Sequence, residues 1–356
     1  MKNQFNIGKR VIGVDCPTYF IADIAANHDG NLDRAKELIN LCAEAGANAA
    51  KFQNFSANTI VSDFGFNSLG NQLSHQSSWK KSVTAIYTDA SIPLDWTKEL
   101  KLECDKVGID YFTSPYDLNF LDYLSDYVCA WKIGSGDITW HQAIEKMASY
   151  GIPLFLATGA SKMSDVKLAM RLINNYNVPV CLMQCNTNYT ASLENFKYIA
   201  LNVLKTFKKE FPKAVLGLSD HTPGHTTVLG AIALGANVIE KHFTDDNLRD
   251  GPDHKFSMLP RDWKDMVDRT KELELSLGTN KKEVMENELD TVVVQRRCIR
   301  ASKRIKKGDN FSDENIVVLR PCPQNALPPY RINEVIGARS SRDIESGDFI
   351  QLKDLT

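Results

Sequence analysis

No stretch of this sequence reaches the ~18 consecutive apolar residues that a membrane-spanning helix requires. The opening MKNQFNIGKR lacks the apolar core of a secretory signal. The expectation is a cytoplasmic protein with no membrane partner. Cysteine is sparse and without pattern: eight residues, none in CxxC or paired spacing, so neither a disulfide framework nor a zinc site is indicated. Cys42, Cys104, Cys129 and Cys181 fall inside helix or strand patterns, where the plain reading is a small buried apolar side chain in a reducing compartment. An excess of one charge is lacking too. The net charge is −2, which argues against nucleic acid or an anionic membrane as a partner and requires any anionic ligand to be held by local positive charge. Hydrophobic residues make up 43% and charged residues 24%, the balance of a chain able to bury a core.

What is present is a repeat of type rather than of sequence. Eight times in the first 260 residues a short apolar run precedes a helical pattern. The runs are 19–26, 49–55, 109–116, 128–135, 153–159, 178–186, 214–221 and 237–244. They are near-continuously apolar, as parallel strands covered on both faces must be. Between them, RAKELINLCAEAG and SDVKLAMRLINNYN carry apolar residues at helical spacing. Asp95, Ser164 and Thr226 are plausible helix starts, and Gly46, Gly108, Gly151 and Gly235 plausible stops. Eight strand–helix units predict an α/β (β/α)8 TIM barrel, for which roughly 250 of the residues suffice. The barrel is expected over 1–279, a polar linker over 280–290, and a small second domain over 291–356. That domain holds an internal echo, SKRIKKGDNF and SRDIESGDFI, in which Ile305, Gly308 and Asp309 correspond to Ile344, Gly347 and Asp348. Gly-Asp between apolar residues marks tight turns and suggests a mostly irregular or β module. The aperiodic segment 56–93 follows the second strand and reads as a lid or rim over the barrel mouth, or as a structured surface insertion.

Chemistry in such barrels sits where the strands end. Here those ends carry Asp23, Asn27, His28, Lys51, Gln53, Ser114, Lys132, Ser135, Asp137, Thr158, Ser219, Asp220, His221 and His242. His221 and His242 close neighbouring strands, so two imidazoles can share one divalent ion and leave positions open for water and substrate. The ion is Mn²⁺, Mg²⁺, Co²⁺ or Zn²⁺; two His do not choose among them. Asp23 can assist through a metal-bound water or as a general base. Lys51 and Lys132 point into the mouth, either to bind phosphate or carboxylate or to form a Schiff base. The turns GSGD, with Ser135, and TGAS, with Thr158, add hydroxyls and small-residue backbone suited to phosphate. Asp253, in RDGPDHKFS, is placed to meet a sugar hydroxyl or a metal-bound water. His28 can contact substrate or satisfy its own loop, and His225 reads as structural. His75 and His141 carry no assignment.

Taken together, ADIAANHDG, AGANAAKFQ, KIGSGD, GLSDHT, EKHFT, GPD and the C-terminal LRP resemble the sialic acid synthase family, which makes N-acetylneuraminate, legionaminate and pseudaminate. The resemblance covers nearly the whole chain. It implies a metal-dependent barrel, most plainly using Mn²⁺, followed by an antifreeze-like (SAF) domain. It also implies condensation of phosphoenolpyruvate with an open-chain amino-sugar aldehyde and release of phosphate. By position, His221 and His242 match metal ligands. Lys51, Ser114, Lys132, Ser135 and Thr187 match the phosphoenolpyruvate site, and Gln53, Tyr189, Asp253 and Arg320 the sugar side. Arg320 implies a domain-swapped homodimer. The sequence departs from the family pattern at Asp23 and Asp137, where Glu is usual, at Ala157 in place of Ser, at Gln184 in place of His, and at Asn186–Thr187. These changes are expected to reshape the aldehyde pocket more than the phosphate site. A Schiff-base aldolase and a non-catalytic sugar-binding barrel are the rival readings.

Overall fold

The computed structural model describes residues 3–70, 76 and 79–356. A hairpin opens the chain, β1 (Gln4–Ile7) paired antiparallel with β2 (Arg10–Gly13). Each expected apolar run then contains one strand: β3 (Tyr19–Asp23), β4 (Ala49–Asn54), β5 (Asp110–Pro115), β6 (Trp131–Ile133), β7 (Leu154–Ala157), β8 (Val180–Cys185), β9 (Val215–Asp220) and β10 (Val238–His242). All pair parallel in the order β5-β4-β3-β10-β9-β8-β7-β6, and the two end strands lie against each other, closing a (β/α)8 barrel.

Strand alternation sorts the side chains into two apolar layers. Outward residues such as Phe52, Trp131, Leu156 and Ile239 pack under the helices. Inward residues Tyr19, Ile21, Phe112, Phe155, Met183 and Val238 fill the lower barrel, and Ile7 and Ile12 of the hairpin belong to the same cluster. The hairpin therefore stoppers the end of the barrel away from the strand termini. It escapes sequence patterning because its strands are four residues long and half exposed.

The helices begin at Asp95 and Thr226 as expected, whereas the one expected at Ser164 starts at Met163 with Lys162 as its cap. Helix Trp96–Val107 ends on Gly108 at φ +78, the left-handed cap that glycine adopts without steric cost. One strand-end residue does not face the mouth. Asp220 lies on the outer face of β9 and pairs with Lys241 of β10 at 2.5 Å, and Thr222 and Thr227 also donate to its carboxylate. Burial pushes the Asp220 carboxyl up, but Lys241 and the hydroxyls outweigh it and hold the pKa below its ordinary value. This pair fastens the barrel wall to helix Thr226–Ala233.

Of the 56–93 segment, the described residues form helical turns at Ala57–Ile60 and Asp63–Ser68 and a helix at Val83–Ala90. His75 lies outside the described residues. The chain divides into two compact units, Met1–Gly278 and Thr279–Thr356. In the second, the sequence echo is a structural pairing. Ile305 and Ile344 exchange backbone hydrogen bonds of 2.9 and 2.8 Å, and Gly308 and Gly347 occupy equivalent turns at φ +88 and +87. Ile305 and Ile344 also sit in that unit's own core with Ile299, Phe311, Leu327 and Ile350.

Candidate active site

One cavity of about 330 Å³ opens at the carboxyl ends of the barrel strands. Asp23, Lys51, Gln53, Lys132 and Ser135 line it, as do Tyr189, His221, His242 and Asp253. Ser114 is fully buried and does not line the cavity; its Oγ accepts from Lys51 Nζ at 3.5 Å. Thr187 is also absent from the lining and packs beside Gly159, where an added Cβ would meet its Cγ2 at 2.6 Å. Gly159 is thus fixed by close approach, and its N–H donates to Ser135 Oγ at 2.9 Å, which orients that hydroxyl. Arg320 belongs to the second unit, where its Nε donates to the Gln295 carbonyl at 2.6 Å.

At the floor, Lys51 Nζ contacts Asp23 Oδ2 at 2.6 Å and Glu240 Oε1 at 3.6 Å. Lys132 Nζ lies 3.3 Å from the same Glu240 oxygen. All four side chains are almost completely buried. An isolated buried charge is prohibitively expensive, so the two ammonium groups and two carboxylates exist there only as a set. Burial alone lowers the Lys51 pKa, but Asp23 and Glu240 reverse this and raise it. Glu240 was not among the expected site residues. The signal was available: it stands two residues before His242 on the same strand and so faces the same way.

Above this set, the His221 and His242 rings are 5.4 Å apart between centroids. Two imidazoles bound to one ion at about 2.1 Å place their centroids roughly 5 Å apart, so the spacing suits a shared cation. His221 Nδ1 donates to the Asn186 carbonyl at 2.9 Å, leaving the Nε2 lone pair for a ligand. His242 Nε2 lies 3.4 Å from Asp23 Oδ2. Burial lowers the pKa of His221, and burial with His221 and Lys51 nearby lowers that of His242 further, so both rings are neutral, as metal ligands must be. Asp23 Oδ1, Glu240 Oε2 and His242 Nδ1 are buried without a hydrogen-bond partner. Among the described residues no group of three or more His, Cys, Asp and Glu side chains is placed to hold a metal ion. The two imidazoles are the side chains whose spacing suits a shared cation. Tyr189, 4.4 Å from His221 between centroids, and Phe256, 4.8 Å from His242, box the two rings.

Two acids complete the rim. Asp253 has its Oδ2 3.2 Å from the Ala26 N–H that donates to it, and burial pushes its carboxyl up to about 6. Asp137 is likewise raised to about 6 by burial, against the lowering effect of Lys132. The loop carrying Asp253 is tied down by Asp29, which meets Arg249 at 2.7 Å, His254 at 2.8 Å and Arg34 at 3.1 Å.

Several expectations change. His28 is fully buried, its Nδ1 accepting from Gly30 N–H at 3.0 Å, and does not line the cavity. Asn27 is structural, donating to Phe243 O and Ser257 Oγ at 2.9 Å each. Gln184 lies on the outer face of β8 and donates to the Ile199 carbonyl at 2.9 Å. Its departure from the family pattern therefore lies outside the cavity, whereas Ala157 and Cys185 line it.

Comparison with known proteins shows the family and the fold. The NeuB family model matches residues 38–282, and the SAF domain matches 296–356. The N,N'-diacetyllegionaminic acid synthase of Legionella pneumophila is 31% identical over 94% of this chain and 94% of its own. The pseudaminic acid synthase of Campylobacter jejuni is 30% identical over 99% of this chain and 98% of its own. The crystal structure of N-acetylneuraminic acid synthetase from Leptospira borgpetersenii, in complex with citrate, superposes with a TM-score of 0.72. It is 28% identical, over 82% of this chain and 96% of that one.

Proposed function

We propose, from the premise that this chain belongs to the NeuB family of sialic acid synthases, that it condenses phosphoenolpyruvate with an open-chain N-acylated amino-sugar aldehyde. The products are a 3-deoxy-2-keto sugar acid and phosphate. The observation that carries the reading is the convergence, in one cavity, of the Lys51–Lys132 pair and the His221–His242 pair.

The charges explain why both pairs are needed. Two ammonium groups and two carboxylates at the floor sum to zero, and Asp137 and Asp253 are mostly ionised at pH 7 with pKa values of about 6. The fixed charges alone thus give a multiply charged enol phosphate no net attraction. His221 and His242 would hold a divalent cation, Mn²⁺ first among Mn²⁺, Mg²⁺ and Co²⁺, which when bound would supply that charge and Lewis acidity for the aldehyde oxygen. Lys51 and Lys132 hold phosphate and carboxylate, with Ser135 donating from the rim and Ser114 and Thr187 supporting them from outside the cavity. Holding the enol methylene against the aldehyde carbon lowers the barrier by up to about 7–11 kcal/mol. After the carbon–carbon bond forms, water adds to the former enol carbon, and the resulting tetrahedral intermediate expels phosphate by cleavage of its carbon–oxygen bond, leaving the 2-keto group. Asp23, an acceptor already held in place by Lys51, takes the proton from that water. Gln53, Tyr189 and Asp253 face the sugar. Arg320, supplied by the partner of a domain-swapped homodimer, completes that side.

The raised pKa of Lys51, held by Asp23 and Glu240, speaks against that lysine as the nucleophile of a Schiff-base aldolase. The test is phosphate release from phosphoenolpyruvate with Mn²⁺ and a panel of aldoses. Chelator-sensitive release with one productive sugar is expected; chelator-insensitive turnover with a borohydride-trapped adduct would establish the aldolase instead.

A further inference from the structure

Lys241 donates to two acceptors, the Asp220 carboxylate at 2.5 Å and the Thr222 carbonyl at 2.6 Å. Those two residues flank His221, and Lys241 itself immediately precedes His242. One ammonium group therefore spans both imidazole-bearing segments from the outer face of the barrel wall. Its place on the strand matters. Strand β9 ends at Asp220, and its ladder with β10 ends at the Asp220–Lys241 pairing. His242 is still held by the sheet, opposite Asp23 of β3. His221 is the first residue past the end of its strand, so the ladder alone does not fix it. The Asp220 carboxylate accepts from the Thr222 N–H at 3.3 Å and from the Thr222 hydroxyl at 2.8 Å, which closes a short turn around His221. The Lys241 contact to the Thr222 carbonyl ties that turn to β10. Stability alone does not account for the pair. Asp220, Lys241 and Thr222 are at most 2% exposed. A buried ion pair is often no more stabilising than apolar side chains of similar volume, because both charges lose their water; fixing a register is the better-attested use of such a pair. Apolar side chains here could not hold the Thr222 carbonyl at a set point.

We propose that Lys241 is a positioning residue for the imidazole pair: from its place beside His242 it grips the turn that carries His221, and so sets the ring separation at which the two share a divalent cation. The assignment rests on the shared cation proposed above and adds what holds its ligands in place. His221 is then fixed from two sides, its turn by Lys241 behind the wall and its ring by the Asn186 carbonyl, which accepts from Nδ1 at 2.9 Å. With both contacts made, the rings stand 5.4 Å apart between centroids. Ligands already in position lose little conformational freedom on binding, and a preorganised site gains its affinity in this way.

The experiment compares the full-length wild type with the double variant Asp220→Asn/Lys241→Met and with Thr227→Val. The double variant removes the tether without stranding a buried charge. Thr227→Val removes a hydroxyl that donates to Asp220 at 2.7 Å from helix Thr226–Ala233 but leaves Lys241 on Thr222, so it controls for stability alone. Two quantities are read: Mn²⁺ affinity by electron paramagnetic resonance, and the nitrogen NMR resonances of the His221 ring in protein stripped of divalent ions. The double variant is expected to bind Mn²⁺ about 10–100-fold more weakly, the usual cost of losing an outer partner of a metal ligand. Its His221 ring should also lose the fixed Nδ1-protonated form. Thr227→Val should melt below the wild type yet match it in both quantities. Wild-type Mn²⁺ affinity in the double variant overturns the assignment and leaves the shared cation standing. An equal loss in Thr227→Val also overturns it, since the effect would then follow stability. If the wild type binds no Mn²⁺, the cation reading fails, and the His221 resonances decide the positioning on their own: an unchanged ring in the double variant overturns it, a released ring supports it. Lys241→Gln, which still donates but is too short to reach both acceptors, gives the same comparison if the double variant does not fold.

Discussion

Glu240 Oε1 stands 3.3 Å from Lys132 Nζ, and the same oxygen reaches Lys51 Nζ at 3.6 Å. One carboxylate thus joins the two cations assigned to the enol phosphate. Replacing it, Glu240→Gln, leaves the buried Lys132 ammonium without its carboxylate while Lys51 keeps Asp23, and breaking a buried pair costs about 3–5 kcal/mol. The expected outcome is a lower melting temperature that inorganic phosphate restores more in the variant than in the wild type. Differential scanning fluorimetry across a phosphate titration reads this; equal phosphate shifts would separate Glu240 from the anion site.

Asp23→Asn keeps the shape of the floor but removes the proton acceptor next to Lys51 and His242. Mn²⁺ binding should persist while turnover falls about 10²–10⁴-fold, the usual contribution of a positioned base. Phosphate release and Mn²⁺ titration on the same preparation check the two halves.

Asp253→Asn bears on pH. The Asp253 carboxyl is raised by burial to about 6. A raised carboxyl favours the folded state at low pH, and that contribution is lost as pH rises through about 4 to 6. The ionised group is therefore a liability at neutral pH. The variant should melt roughly 2–4 °C above wild type at pH 8, as about 1 kcal/mol shifts a domain of this size, with the gain vanishing below pH 4. Melting curves at pH 4, 6 and 8 measure it.

Arg320→Ala should raise the KM of the sugar far more than that of phosphoenolpyruvate. Mixing Arg320→Ala with Asp23→Asn, each impaired in a different part of the site, should recover activity if subunits complete one another's sites. Steady-state kinetics on separate and remixed subunits test both statements.

The barrel was legible because its strands are buried on both faces. Even the three-residue β6 lies inside an apolar run seen in the sequence. The hairpin was not legible, since four-residue strands with exposed alternate positions carry too little pattern. At the site, residue type was easier to read than direction. Ser219, Asp220 and His221 are consecutive, yet the strand sends the first and third inward and Asp220 outward to Lys241. In the same way Glu240 and His242 line the cavity while Lys241 does not. Counting by two from His242 identifies Glu240 and excludes Lys241. The same count from Cys185 puts Gln184 outside. The segment after β4 was legible only by place: it has no strong period, and its position alone ties it to the mouth.

The proposed chemistry requires His221 and His242 to hold one divalent cation beside the lysine pair. Mn²⁺ binding, followed by electron paramagnetic resonance in wild type, His221→Ala and His242→Ala, reports on that ion alone. The expected result is a single site in the wild type whose affinity falls about 100-fold or more in either variant, beyond the 10–100-fold that loss of an outer partner costs. Equal binding by all three proteins would rule out the shared cation, and the condensation with it.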